Sequence, residues 1–128
     1  MIEIGKKFEI KILVSENDTA KAVGSGTLEV LATPRMIALM EEAAYKCIAD
    51  DLEEGTSSVG TLMSVEHLSA TPVGMEAYAV AEVSAVEGRK VFFTVEAYDE
   101  KGIIGKGTHD RFIVFSEKFV NKTYSKLS

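Results

Sequence analysis

The run T-P-R-M-I-A-L-M-E-E-A-A-Y-K-C-I-A-D-D-L-E-E-G, from Thr33 to Gly55, is the chain's one long stretch of helical periodicity. At 100° per residue, Met36, Ile37, Met40, Ala43, Ala44, Cys47, Ile48 and Leu52 fall on one apolar arc. Thr33 is suited to cap such a helix, Pro34 to its first position and Gly55 to a left-handed stop. Glu41 falls inside the arc, between Ile48 and Leu52, whereas Glu42 lies on the opposite side, four residues before Lys46. A carboxylate taken out of water without a partner is costly. Glu41 is therefore paired, hydrogen-bonded, protonated or in a wet cavity, unless it sits at the arc's edge and reaches solvent. The helical wheel leaves these alternatives open.

Around this helix the pattern is that of strands. Phe8, Ile10 and Ile12 alternate with Lys7, Glu9 and Lys11, which predicts a first strand over Lys6–Val14. The small, polar Ser15–Gly26 segment reads as a loop with room for a short helical turn, Gly24 and Gly26 giving it mobility, and Leu28–Leu31 reads as a short strand. Strands are expected near Ser57–Ala70, Met75–Val86, Lys90–Tyr98 and Ile103–Phe115, with turns at Gly88 and Gly102. In the third of these, Val91, Phe93 and Val95 face one way and Phe92, Thr94 and Glu96 the other. Gly105 and Gly107 let the last strand bend, and the polar Asn121–Ser128 tail is expected to fray. One long helix and one twisted antiparallel sheet satisfy each other when the sheet wraps the helix. The expected class is α+β, a hotdog fold: a strongly curved antiparallel sheet around one long central helix.

With 128 residues and no repeat or linker, the chain is expected to form a single domain over residues 1–128. A net charge of −6 disfavours a general nucleic-acid role and an anionic membrane surface, while leaving room for a small anionic ligand held by a few local cations. Cys47, the one cysteine, has no internal disulfide partner, and the N-terminus lacks a secretory pattern, so a cytoplasmic location is expected. Cys47 lies on the apolar arc without an activating base and reads as a core residue, and no His and Cys spacing points to a structural metal.

Three blocks carry a family resemblance: A-T-P-R-M-I-A-L-M-E-E-A-A, E-E-G-T-S-S-V-G-T-L-M-S-V-E-H-L-S-A-T-P-V-G-M, and G-K-G-T-H-D-R-F. In order and spacing, over roughly Leu28 to Phe119, they resemble the fluoroacetyl-CoA thioesterase family of hotdog proteins. The resemblance implies a thioester hydrolase whose catalytic group is Thr33, Glu41 and His67, with the Gly60 amide approaching the substrate carbonyl. It also implies a homodimer with acyl-CoA at the subunit boundary and no cofactor, CoA entering as part of the substrate. Family members specific for fluoroacetyl-CoA carry phenylalanines before the helix, whereas no aromatic residue lies between Glu9 and Tyr45 here. A broader acyl-CoA specificity is therefore expected.

Thioester hydrolysis needs a nucleophile or activated water, a proton carrier and donors for the developing oxyanion. In the implied scheme Glu41 attacks the carbonyl or activates water, His67 shuttles a proton, Thr33 orients through its hydroxyl and Gly60 donates its amide. Each residue also has a plainer reading: Thr33 as a helix cap, His67 as a core histidine on the side of its strand shared with Met63 and Val65. His109 and Arg111 share a strand face, with Asp110 turned away, and suit a phosphate, a partner carboxylate or an internal salt bridge. A non-catalytic acyl-CoA-binding protein and an acyl-thioester dehydratase are the competing functions.

Overall fold

The computed structural model describes residues 1–128. Strand β1 (Lys7–Leu13) is followed by a 3-10 turn, the short helix α1 (Ala20–Val23) and the long helix α2 (Thr33–Ala49). Then come β2 (Thr56–His67), β3 (Glu76–Glu87), β4 (Lys90–Asp99), β5 (Gly102–Phe115) and a C-terminal helix α3 (Ser116–Tyr124). The strands form one antiparallel sheet in the order β1-β3-β4-β5-β2, so β1 and β2 are its edges.

Packing explains the curvature. Helix α2 buries Met36, Leu39, Met40, Ala43, Ala44, Cys47 and Ile48 against the inner face of the sheet. There β3 offers Ala77, Ala79 and Ala81 at alternate positions, and β4 offers Val91, Phe93, Val95 and Ala97. Alanine at every second residue of β3 lets the helix backbone come close, and the larger side chains of β4 fill the space beyond. Each large apolar side chain so buried contributes about 1.5–3 kcal/mol.

The buried arc includes Leu39, on the side away from Glu41, so its centre is shifted and Glu41 stands at the arc's edge rather than within it. The helix also ends earlier than the Gly55 stop predicts. It closes at Ala49, where Asp50 and Asp51 are weak helix formers and Lys6 Nζ holds Asp51 at 2.9 Å. Gly55 does take a positive φ of 84°, but in the turn that enters β2. Leu28–Leu31 forms no strand: Val30 and Leu31 make only isolated bridges, to Pro72 and Thr19. The expected fraying tail is instead helical through Tyr124, then a 3-10 turn, anchored by Ser116 N–H donating to Gly55 O and by the Ser57–Ser116 hydroxyl pair.

Strand β2 carries a β-bulge at Thr61: Gly60 pairs with Arg111 and Leu62 with Asp110, leaving Thr61 as the extra residue. The bulge reverses the alternation, so Gly60 shares the helix-facing side with Met63, Val65 and His67. Further along, Gly105 and Gly107 of β5 lie under close contacts. A Cβ on Gly105 would meet Met36 Sδ at 2.6 Å, and one on Gly107 would collide with the Ser64 carbonyl oxygen. Met36 can move and a strand backbone cannot. Gly107→Ala is therefore expected to lower unfolding free energy by about 1–3 kcal/mol and Gly105→Ala by less, read from urea denaturation midpoints.

Candidate active site

Ala32, not Thr33, occupies the N-cap of α2; the first helical bond runs from Met36 N–H to Ala32 O, and Thr33 and Pro34 follow as the first helical residues. Thr33 makes no capping bond, because at the first helical position its hydroxyl points off the helix. It meets His67 Nδ1 at 2.7 Å instead. The other ring nitrogen, Nε2, is buried and has no partner. Burial pushes the His67 pKa below its ordinary value, opposed by a backbone hydrogen bond at Ser69. Burial thus favours the neutral imidazole, whose Nδ1 lies against the Thr33 hydroxyl. Beside this pair lies an open cavity of about 310 Å³ whose walls include Ala20, Val30, Leu31, Leu68 and Ala70.

Glu41 lies two turns further along α2, about 12 Å from Thr33 along the axis. Its side chain is 44% exposed. It faces the bulged part of β2, where a Cβ placed on Gly60 would come within 3.1 Å of Glu41 Oε2 and of His109 Cε1. A side chain at position 60 would crowd both groups, so glycine there leaves them room. A second hollow, of about 220 Å³, is lined by Glu41, Gly60, Thr61, Leu62, Met63 and His109. Within one chain the four residues singled out in the sequence therefore form two pairs, Thr33 with His67 and Glu41 with Gly60.

Behind Glu41 is a buried polar cluster. Arg111 Nη1 is 3.8 Å from Glu41 Oε2 and 3.1 Å from His109 Nε2, while Nε and Nη2 donate to the Ser58 hydroxyl and carbonyl at 2.8 and 2.9 Å. His109 Nδ1 is 2.8 Å from Leu62 O. A carbonyl only accepts and a guanidinium only donates, so His109 carries its proton on Nδ1 and is neutral. Burial lowers its pKa, with Arg111 adding to the effect against the Leu62 bond and Glu41. Arg111 thus stands beside an internal carboxylate, Glu41, whereas His109 bonds to Leu62 O and to Arg111. Ser58 and Leu62 O gave no signal in the sequence: their roles depend on the β2–β5 register and its bulge.

A helix gripped by a curved antiparallel sheet is the hotdog arrangement, and comparison with known proteins gives it the chemistry of the thioester hydrolases. The profile of the family described as fluoroacetyl-CoA-specific thioesterase matches residues 14–117. A fluoroacetyl-CoA thioesterase of Streptantibioticus cattleyicolor is 43% identical over 98 residues, 77% of this chain and 70% of that protein. A solved fluoroacetyl-CoA thioesterase superposes with a TM-score of 0.94 at 35% identity, covering 98% of both chains. A variant of that enzyme in complex with fluoroacetate and CoA superposes at 0.87 with 36% identity, over 91% of this chain and 98% of the other. The chain belongs to the fluoroacetyl-CoA thioesterase family.

The two histidines are the only ones in the chain, and both have pKa values lowered by burial. As pH falls through about 6.5, the unfolded chain takes up these protons before the folded one does. Stability is fully present above that pH and falls as pH drops through the lower folded values. Denaturant midpoints measured from pH 8 to pH 5 should therefore decline, and the slope should flatten in His109→Gln.

Proposed function

We propose that the protein hydrolyses the thioester of small acyl-CoA substrates, releasing the free acid and CoA, with Glu41, Thr33, His67 and Gly60 as its working groups. The observation that carries this reading is the Glu41–Gly60 approach, a carboxylate beside a backbone whose missing side chain leaves it room. Water or Glu41 attacks the carbonyl carbon, the oxygen takes up charge beside the Gly60 amide, and the carbon–sulfur bond breaks. The departing thiolate takes a proton, for which the His67 imidazole is the carrier and Thr33 its orienting partner.

The site is composite in this proposal. β2 is an edge strand with one side unpaired, and Leu62 on it is 49% exposed. Antiparallel pairing of two copies along β2, about a two-fold axis near Met63 and Ser64, sets Gly60 opposite the partner's His67. Adjacent strands lie about 4.8 Å apart, which replaces the separation of about 12 Å within a chain. The same pairing covers the exposed Glu41 and supports a homodimer with acyl-CoA at the boundary. The segment before α2 carries no aromatic residue, and the cavity beside Thr33 sets Ala20, Val30, Leu31, Leu68 and Ala70 beside Ser25 and Ser69. Both favour neutral aliphatic acyl groups over one selected for fluorine. No cofactor is required by this chemistry. No helix is long and apolar enough to cross a membrane, and the buried, unpaired Cys47 fits a cytoplasmic setting.

Thiol release from acetyl-, isobutyryl-, benzoyl- and fluoroacetyl-CoA tests the reading directly, and silence across the panel favours a binding protein. Glu41→Gln, which keeps an acceptor towards Arg111, is expected to fold and to lose at least about 100-fold in kcat. Subunit mixing tests the composite site. Glu41→Gln and His67→Ala homodimers, each inactive, should on mixing regain about a quarter of wild-type activity, since half the dimers are mixed and each has one intact site. No recovery after verified exchange would mean that both groups act from one chain.

A further inference from the structure

Two apolar patches lie uncovered, one at each end of edge strand β2. Beside its start, helix α3 has no buried residue: Phe119, Val120, Tyr124 and Leu127 recur at helical spacing and all are exposed. Lys118 and Asn121, on the other side of the helix, line a hollow with Gly55 and Phe115, so the apolar stripe is turned away from its own sheet. A helix of nine residues is too short to be stable in water without a covered face. At the far end of β2, Val23, Leu28, Leu68 and Val73 are exposed on the segments that wall the Thr33–His67 cavity.

We infer that α3 docks on a second copy of this chain, where its apolar stripe closes the partner's Thr33–His67 cavity. The inference rests on the antiparallel pairing along β2 proposed above. That pairing, with Gly60 opposite the partner's His67, runs on to set Ser57 opposite the partner's Ala70. Ser57 is also where α3 is moored: its hydroxyl meets that of Ser116, whose N–H donates to Gly55 O. The helix therefore begins level with the mouth of the partner's cavity, of which position 70 is a wall. Charge agrees with this docking. Lys118, Lys122 and Lys126 on the helix, and Glu16 and Glu29 on the cavity segments, make no ion pair within the chain. Area points the same way. The twelve residues of β2 make a ribbon about 40 Å long and about 10 Å wide, roughly 400 Å² per copy, where a stable interface takes about 800 Å². Strand pairing alone falls short, and α3 is the exposed apolar surface that adjoins it. The cavity's own walls carry no phenyl ring, and Phe119 supplies one.

Cross-linking of the full-length chain tests the docking. Phe119→Cys with one tag and Leu68→Cys with another are co-expressed, purified through both tags and oxidised, the buried Cys47 being left in place. Covalent dimer should exceed by at least about 5-fold that of either variant paired with itself, because only the mixed dimer brings the two thiols together. No excess overturns the inference. Sedimentation of the wild type separates that failure from failure of the pairing: a dimer without the cross-link leaves the β2 pairing standing, and a monomer overturns both. With isobutyryl-CoA as probe, Phe119→Ser is expected to raise KM about 10-fold with kcat changed by less than about 3-fold, and Phe119→Leu to restore most of the loss. An unchanged KM overturns the closing of the cavity. The cross-link needs no turnover, so a linked dimer that hydrolyses nothing on the panel counts against the thioesterase reading alone. A basic amphipathic helix can instead lie on a lipid surface. Flotation of the wild type with phosphatidylglycerol vesicles, abolished in Phe119→Ser, would overturn the inference in favour of that use.

Discussion

The close packing of α2 on β3 sets the position of everything else. Ala77, Ala79 and Ala81 present methyl groups at three successive inward positions before the larger Val83, so the helix beds low in the sheet, and Met36, Met40, Ala43 and Cys47 share its buried core. A larger residue at any of the three would lift the helix and with it both pairs of site residues, since Thr33 and Glu41 are carried on the same rigid rod. The separation between them is fixed by the helical rise, and no side-chain motion can close it.

The bulge at Thr61 does for β2 what the alanines do for β3. Without it, Gly60 would face away from Met63, Val65 and His67, and the Gly60 backbone would be turned from Glu41. The extra residue re-aims one end of the strand while the other keeps its register with Gly105 and Gly107. Thr61 itself is tied to the neighbouring strand through its hydroxyl to Asp110 O at 3.3 Å. One inserted residue thus turns an ordinary edge strand into a surface whose two ends present a glycine amide and an imidazole on the same face.

These two constraints differ in how readily a sequence reveals them. Helix α2 and the four long strands were legible because periodicity is a local property: alternation in V-F-F-T-V-E or a recurring apolar stripe needs no knowledge of partners. Glu41 was visible as an anomaly on the wheel, but its edge position depended on how far the arc extended toward Leu39, which packing decides. Thr33 read as a cap because Thr before Pro suits that role, and only the buried Ala32, whose N–H donates to Asp18 O at 2.9 Å, shows why the helix starts one residue sooner. The bulge left no mark at all. A period-2 reading of β2 assigns Gly60 to the wrong face, so the Glu41–Gly60 contact and the Ser58 bonds to Arg111 could not be derived without the register.

Three ion pairs tie α2 to the rest of the molecule, and their geometry separates support from function. At the start Arg35 Nε meets Asp18 Oδ1 at 2.9 Å, and just past the end Lys6 Nζ meets Asp51 Oδ2 at 2.9 Å. Both are closed to hydrogen-bond length and partly solvated, so each contributes no more than about 1 kcal/mol. The pair in the middle, Arg111 with Glu41, is arranged the other way. Its cation is buried and held by three hydrogen bonds, yet the contact stays open at 3.8 Å and the carboxylate side is half exposed. A pair selected for stability would close, because an unclosed buried cation recovers less of its desolvation cost. At 3.8 Å the half-exposed carboxylate lies short of a hydrogen bond to the guanidinium, so its lone pairs are not taken up by that cation.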